Sequence, residues 1–192
     1  KALPVLGWRI DDHSVVTRGG NLTLQGLQRE GMPYTPYIES PQLVQMGSSF
    51  IYGFDVTLMA GTPFIDPNRA FDAKLFKAAK MSYLYSGDLF TGQIGLAYFD
   101  ENDLINGSVA SWGVSSHGFV WLGEWSQMNG WIQPEITNLA TIHQLSYRLF
   151  QGLDIVGRYE FFDPDIDLTT GAIQRTSLGV EFFPVRGVEM KL

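Results

Sequence analysis

Residues 144–162 read QLSYRLFQGLDIVGRYEFF. In the first part of this stretch Leu145, Tyr147 and Leu149 alternate with Gln144, Ser146 and Arg148. In the last part Leu153, Ile155, Gly157, Tyr159 and Phe161 alternate with Asp154, Val156, Arg158, Glu160 and Phe162. A period of two puts successive side chains on opposite faces of an extended backbone, so each part reads as a strand with one apolar and one polar face. Only Phe150-Gln151-Gly152 separates them, which is hairpin spacing.

The same pattern extends in both directions. Downstream, a polar connection from Asp163 to Gln174 precedes Thr176, Leu178, Val180 and Phe182, and a Pro184-Val185-Arg186-Gly187 turn leads to Val188, Met190 and Leu192. Upstream, Ala110, Trp112 and Val114 pass through a Ser116-His117-Gly118 turn to Phe119, Trp121, Gly123 and Trp125, with a longer connection from Met128 to Asn138. Earlier still, Met81, Tyr83 and Tyr85 lead through Ser86-Gly87-Asp88 to Ile94, Leu96 and Tyr98, followed by an acidic connection from Asp100 to Gly107. Short turns thus alternate with long loops, the order expected of an up-and-down barrel. Phe50, Tyr52, Phe54, Val56 and Leu58 alternate with Ser49, Ile51, Gly53, Asp55 and Thr57 and read as one further strand. Leu22 and Leu24 suggest a strand, as does Val5 to Ile10, whereas residues 30–41 carry three prolines and read as an irregular loop. The tally is about ten strands and no persuasive helix, in a single domain spanning 1–192.

Composition bears on which β architecture this is. Charged residues make up 17% and aromatics 14%, with 21 glycines and a net charge of −7. Soluble domains carry roughly 25% charge. The acidic balance argues against nucleic acid as a partner, and the lack of cysteine excludes disulfides and thiolate chemistry. The longest stretch free of Asp, Glu, Lys and Arg, Leu104 to Gly123, is too rich in Ser, Gly and Asn for a membrane helix, so any crossing would be made by strands. A soluble sandwich also alternates. It does not call for large aromatics along the apolar face, here Tyr83, Tyr85, Tyr98, Trp112, Trp121, Trp125, Tyr159, Phe161 and Phe182, read as a lipid-facing girdle near strand ends. The expected fold is all-β, an antiparallel up-and-down transmembrane β-barrel.

Two runs carry a resemblance. Gly157 to Asp165 (GRYEFFDPD), a polar loop and then Arg175 to Pro184 (RTSLGVEFFP) resemble the last strands of bacterial porin-like outer-membrane barrels. The run Phe119 to Trp125 (FVWLGEW) is similar to a strand two hairpins earlier in such proteins. The likeness covers residues 73–192 and points to phosphate-selective-porin-like barrels and to the porins that sheathe multihaem cytochromes. It implies a bacterial outer-membrane porin, a passive pore for small hydrophilic or ionic solutes. The alternatives are a structural sheath or scaffold enclosing or anchoring a partner such as a multihaem cytochrome, and a soluble β-sandwich binding domain. The implied partners are outer-membrane lipid, small solutes and a periplasmic or surface protein. Such barrels usually end in Phe or Trp, whereas this chain stops at Leu192 and shows no leader at Lys1, which suggests truncation at one or both ends and a larger whole barrel.

Candidate site residues follow from the polar face. Asp55, Lys80, Glu124, Arg148, Asp154, Arg158, Glu160, Arg175, Glu181, Glu189 and Lys191 are expected to line the lumen, bracing the wall in pairs and setting ion preference. Their mixed signs predict no strong selectivity. Asp163, Asp165 and Asp167 match the first ligand positions of a calcium loop, but Leu168 stands where that motif needs Gly, so a solvated acidic loop is the better reading. His13, His117 and His143 are far apart, with His117 expected in a turn and His143 near the opposite rim, which disfavours a shared metal or haem site. Ser146, the serine nearest His143 on the chain, points to the other face, and no Gly-x-Ser-x-Gly elbow exists. No enzyme and no cofactor are expected.

Overall fold

A computed structural model describes residues 43–61, 75–101, 105–130, 135–185 and 188–191. These form one antiparallel sheet of ten strands in chain order: β1 (Leu43–Ile51), β2 (Phe54–Gly61), β3 (Phe76–Ser86), β4 (Thr91–Glu101), β5 (Ile105–Ser116), β6 (Phe119–Asn129), β7 (Thr137–Phe150), β8 (Leu153–Asp163), β9 (Ile173–Val185) and β10 (Val188–Lys191). Each strand pairs with its neighbour in sequence, and the described residues contain no helix. The fold is all-β and up-and-down. The strand suggestions at Val5 to Ile10 and Leu22 to Leu24, and the loop at 30–41, lie outside the described residues.

The turns follow from local chemistry. His117 (φ 47) and Gly118 (φ 84) both occupy the left-handed region, as a two-residue hairpin turn of the primed kind requires. Gly53 (φ 80) and Gly152 (φ 90) supply the same freedom between β1 and β2 and between β7 and β8, each beside a one-residue register shift. The first of these corrects the expectation of a single strand over 49–58. The chain reverses at Tyr52–Gly53, so Ser49 lies opposite Asp55 and their side chains are hydrogen-bonded. The bulge and two-residue turn together preserve the alternation, so Phe54, Val56 and Leu58 still share a face.

A second correction concerns the acidic connection from Asp100 to Gly107. Asp100 and Glu101 belong to β4 and pair with Asn106 and Ile105 of β5, leaving only residues 102–104 between the strands. Asn129 and Thr137 likewise extend β6 and β7 into the next connection, where Thr137 Oγ1 donates to Asn129 Oδ1 at 2.7 Å and Asn129 Nδ2 to Asn106 Oδ1 at 2.8 Å. Side-chain hydrogen bonds let these polar residues sit in strands. The alternation of short and long connections is therefore weaker than the composition implies.

Successive hairpins are staggered in one direction. Leu84 of β3 runs past the first hairpin and donates its N–H to Gly53 O at 2.6 Å. Arg148 of β7 does the same to Gly118 O at 2.9 Å, and Phe183 of β9 to Gly152 O at 2.8 Å. A cumulative stagger of this kind is what tilted strands in a closed sheet need. Two cross-strand pairs fit an aromatic ring over a glycine: Trp112 over Gly123, where an added Cβ would come within 2.2 Å of the indole, and Phe99 over Gly107, within 2.6 Å.

Candidate functional site

Register divides every strand into two faces. On one face the rows run from the end carrying the longer connections to the end carrying the tight turns. The first complete row is Met59–Ala78–Phe99–Gly107–Met128–Asn138. Next come Thr57–Lys80–Ala97–Val109–Ser126–Ala140–Phe162–Ile173, and then Asp55–Ser82–Gly95–Ser111–Glu124–Ile142–Glu160–Arg175. Below these lie Gln144–Arg158–Ser177 and finally Arg148–Asp154–Glu181. We call this the inward face because its side chains are the buried ones.

The inward face changes character along its length. The two rows nearest the long connections form an apolar band in which Phe99, Met128 and Phe162 are no more than 2% exposed. Phe76 stacks on Phe99 with ring centroids 6.0 Å apart, and Ile105 and Ile173 pack against the band. Asn138 sits inside the band, buried, and neither its amide nitrogen nor its oxygen has a hydrogen-bond partner among the described residues. The next row holds Glu124 and Glu160, both 1% exposed, with Ser126 Oγ donating to Glu124 Oε1 at 3.2 Å. Arg158 donates through two nitrogens to Gln144 Oε1, at 2.8 and 3.2 Å, and Arg175 stands opposite Glu160 in register. At the turn end Arg148 Nε meets Asp154 Oδ1 at 3.1 Å.

All nine expected lumen-lining residues whose side chains are described therefore share one face: Asp55, Lys80, Glu124, Arg148, Asp154, Arg158, Glu160, Arg175 and Glu181. Lys191 lies in register with Glu181 and Glu189 lies on β10, but their side chains are outside the described residues. Glu101, buried and on the same face, is a carboxylate that sequence reasoning missed by assigning it to a loop. Its place at the end of a period-of-two series that runs through Ala97 and Phe99 was the available signal. Among the residues whose side chains are described, the inward face carries four cationic ones (Lys80, Arg148, Arg158, Arg175) and six carboxylates (Asp55, Glu101, Glu124, Asp154, Glu160, Glu181).

The opposite face is apolar and open. Val44, Met46, Leu58, Met81, Ile94, Leu96, Leu145, Tyr147 and Leu178 project from it as exposed side chains. All nine girdle aromatics lie on it as well. Tyr83, Tyr85, Trp121 and Phe182 sit towards the turn ends of their strands and Tyr98 and Phe161 towards the other ends, while Trp112, Trp125 and Tyr159 stand nearer mid-strand. His143 is also mid-strand rather than near a rim, because β7 begins as early as Thr137. Its ring lies among Trp112, Trp121 and Tyr159 at centroid distances of 5.6, 6.2 and 6.4 Å. The apolar belt ends at a polar row, Lys77–Asp100–Asn106–Asn129–Thr137, beside a cleft of about 520 Å³ lined by Lys77, Tyr98, Asp100 and Asn106.

The other candidates do not converge. Asp163 Oδ1 accepts from the backbone N–H of Asp165, and Asp165 Oδ1 from that of Asp167, so two of the three carboxylates cap the loop backbone. No cluster of three or more potential metal-ligating side chains occurs among the described residues, and His13 lies outside them. Ser146 is on the inward face and His143 on the other. Ser116 Oγ lies 2.8 Å from His117 Nδ1 but also 2.7 Å from Leu89 O. A hydroxyl that donates to the carbonyl cannot also donate to the imidazole, so this contact locks a turn rather than arming a nucleophile. No family model, curated protein or solved structure matches this chain.

Proposed function

We propose that this chain forms the wall, or a large part of the wall, of a bacterial outer-membrane β-barrel that acts as a passive, non-enzymatic pore for small hydrophilic or ionic solutes. One observation carries the reading: a single sheet whose outer face is apolar and whose inner face holds the charges. The outer belt spans eight strands from β2 to β9, about 38 Å at ~4.8 Å per strand. Thr141 to Leu149 add about 30 Å along β7 at ~3.4 Å per residue. The resulting area, on the order of 1,000 Å², exceeds the roughly 300–600 Å² of the largest patch on a typical soluble monomer. Strands β3 to β6 and β8, with 11 or 12 residues, suit a tilted crossing, for which about 9–11 suffice. In lipid an open sheet edge leaves backbone groups unpaired, so the staggered sheet is closed there, by its own edges or within the larger barrel that the porin-like motifs imply.

The test joins two measurements. Detergent-extracted protein should migrate differently on a gel before and after boiling, and the folded form should conduct in planar bilayers. Solubility without detergent would sink the membrane reading. The sheath or scaffold alternative differs in what fills the inner face, where Phe99, Met128, Glu124 and Glu160 are covered by the chain's own side chains. A folded barrel that co-purifies with a partner protein and carries no current would favour it.

A further inference from the structure

We propose that the cleft at the edge of the apolar belt holds the headgroup of a zwitterionic phospholipid, one carrying a phosphate and a primary ammonium. The proposal rests on the membrane reading of the outer face and not on the pore. The cleft, about 520 Å³, opens on that face over β3, β4 and β5. Its volume falls within the roughly 300–1,000 Å³ of small-molecule sites. Ala78 and Ala79 line it together with Lys77, Tyr98, Asp100 and Asn106.

The polar groups suit a headgroup of both signs. Lys77 is exposed, stands opposite Asp100 in register, and makes no ion pair among the described residues. A hydrogen-bond relay orients Asn106: Thr137 Oγ1 donates to Asn129 Oδ1, and Asn129 Nδ2 donates to Asn106 Oδ1. With that oxygen occupied, what Asn106 offers the cleft is its amide N–H groups. Lys77, Tyr98 and Asn106 thus supply a phosphate with one cation and two neutral donors. Asp100 has an interaction of its own. A carboxylate provides about four acceptor sites, so it can take an ammonium as well. A purely anionic headgroup would add negative charge beside Asp100, on a chain whose net charge is already −7. A quaternary ammonium has no N–H to give the carboxylate.

The surface below the cleft decides for a lipid. Tyr98 is 51% exposed, and the next residues of the same parity, Met81 and Leu96, stand opposite each other at 48% and 50% exposed. A polar mouth above an apolar track matches a headgroup with its acyl chain lying along the belt, and an amphipathic tyrosine ring belongs at that boundary. A soluble zwitterion would use the mouth alone.

The experiment equilibrates the whole chain in vesicles of equal parts phosphatidylethanolamine, phosphatidylcholine and phosphatidylglycerol with matched acyl chains. After extraction in detergent, mass spectrometry of the intact complexes counts the lipids retained. The wild type should keep phosphatidylethanolamine several-fold over either other lipid. Lys77→Gln should lose most of that retention, and Asp100→Asn should bring phosphatidylcholine level with phosphatidylethanolamine. Equal retention of the three lipids, a preference for phosphatidylglycerol, or wild-type behaviour in Lys77→Gln overturns the proposal. So does an unchanged preference in Asp100→Asn; if that variant does not fold, Lys77→Gln decides, because its side chain is exposed. Displacement of the retained lipid by excess O-phosphoethanolamine would assign the cleft to a soluble zwitterion and overturn the lipid assignment. A chain that never enters the vesicles fails the membrane reading itself, a result distinct from insertion without lipid preference.

Discussion

Leu178 offers the sharpest test of which solvent the outer face meets. It lies near the middle of β9, with five residues before it and seven after, and is 81% exposed. In a soluble sheet so exposed a leucine is nearly free to change, and Leu178→Arg would alter stability by less than about 0.5 kcal/mol. Against hydrocarbon the same substitution places a guanidinium at the level of the bilayer midplane and costs about 2–4 kcal/mol. Ser146→Arg is the control, since it adds the same group to the inward face of β7 between Val120 and Val156. Its cost should stay below about 1 kcal/mol, because a lumen-facing arginine keeps access to water. Urea unfolding of vesicle-inserted protein, followed by tryptophan fluorescence and by the gel shift on boiling, reads both variants in one assay. If Leu178→Arg unfolds within about 0.5 kcal/mol of the wild type in vesicles, the outer face does not meet lipid and the argument from the apolar belt is wrong.

Three further outcomes are expected. Among the turn glycines, Gly53→Ala should be the most damaging: its Cβ would meet Leu84 O at 2.1 Å, so the left-handed penalty of about 1–2 kcal/mol adds to a lost hydrogen bond of roughly 1 kcal/mol. Gly118→Ala, whose Cβ would meet Arg148 Cβ at 3.3 Å and backbone atoms only at ordinary contact distance, should lose little beyond the conformational penalty, and equal effects in the same unfolding assay would contradict the ranking. Asn138→Leu should raise the free energy of unfolding by about 1–3 kcal/mol, because it removes a buried amide without partners among the described residues from an apolar band; a loss of stability would mean that the amide is satisfied. Brominated acyl chains should quench Trp112, Trp121 and Trp125 more strongly than aqueous acrylamide does, and selective loss of that quenching in Trp121→Phe would locate one contributor.

Much of this fold was legible because face assignment depends on parity alone. From Met81 to Phe182 the apolar and polar series read from the sequence coincide with the two faces of the sheet, through turns such as His117–Gly118 and Gly152 whose residues adopt a left-handed backbone. Parity also explains the clearest misreading. A bulge plus a two-residue turn at Tyr52–Gly53 keeps the alternation in step, so a period-of-two pattern cannot reveal that the chain has reversed. Polar composition misled in the opposite sense at Asp100–Glu101, where strand pairing outweighed loop-like residue types. The apolar band was invisible for another reason. Phe99, Met128 and Phe162 lie on three strands, each beside a polar residue of the same parity (Glu101, Ser126 and Glu160), and only register brings them into adjacent rows.

The stagger gives the sheet a grain. Gly53, Gly118 and Gly152 each present a carbonyl that is clasped by a strand later in the chain. These three turns are lapped like shingles, each held down by the strand laid after it. Removing the last course would loosen the turn before it, while removing the first would loosen none. The two ends of this sheet are therefore not equivalent as places to cut or to begin, and a wall assembled from the C-terminal side would find each incoming turn a latch already in position.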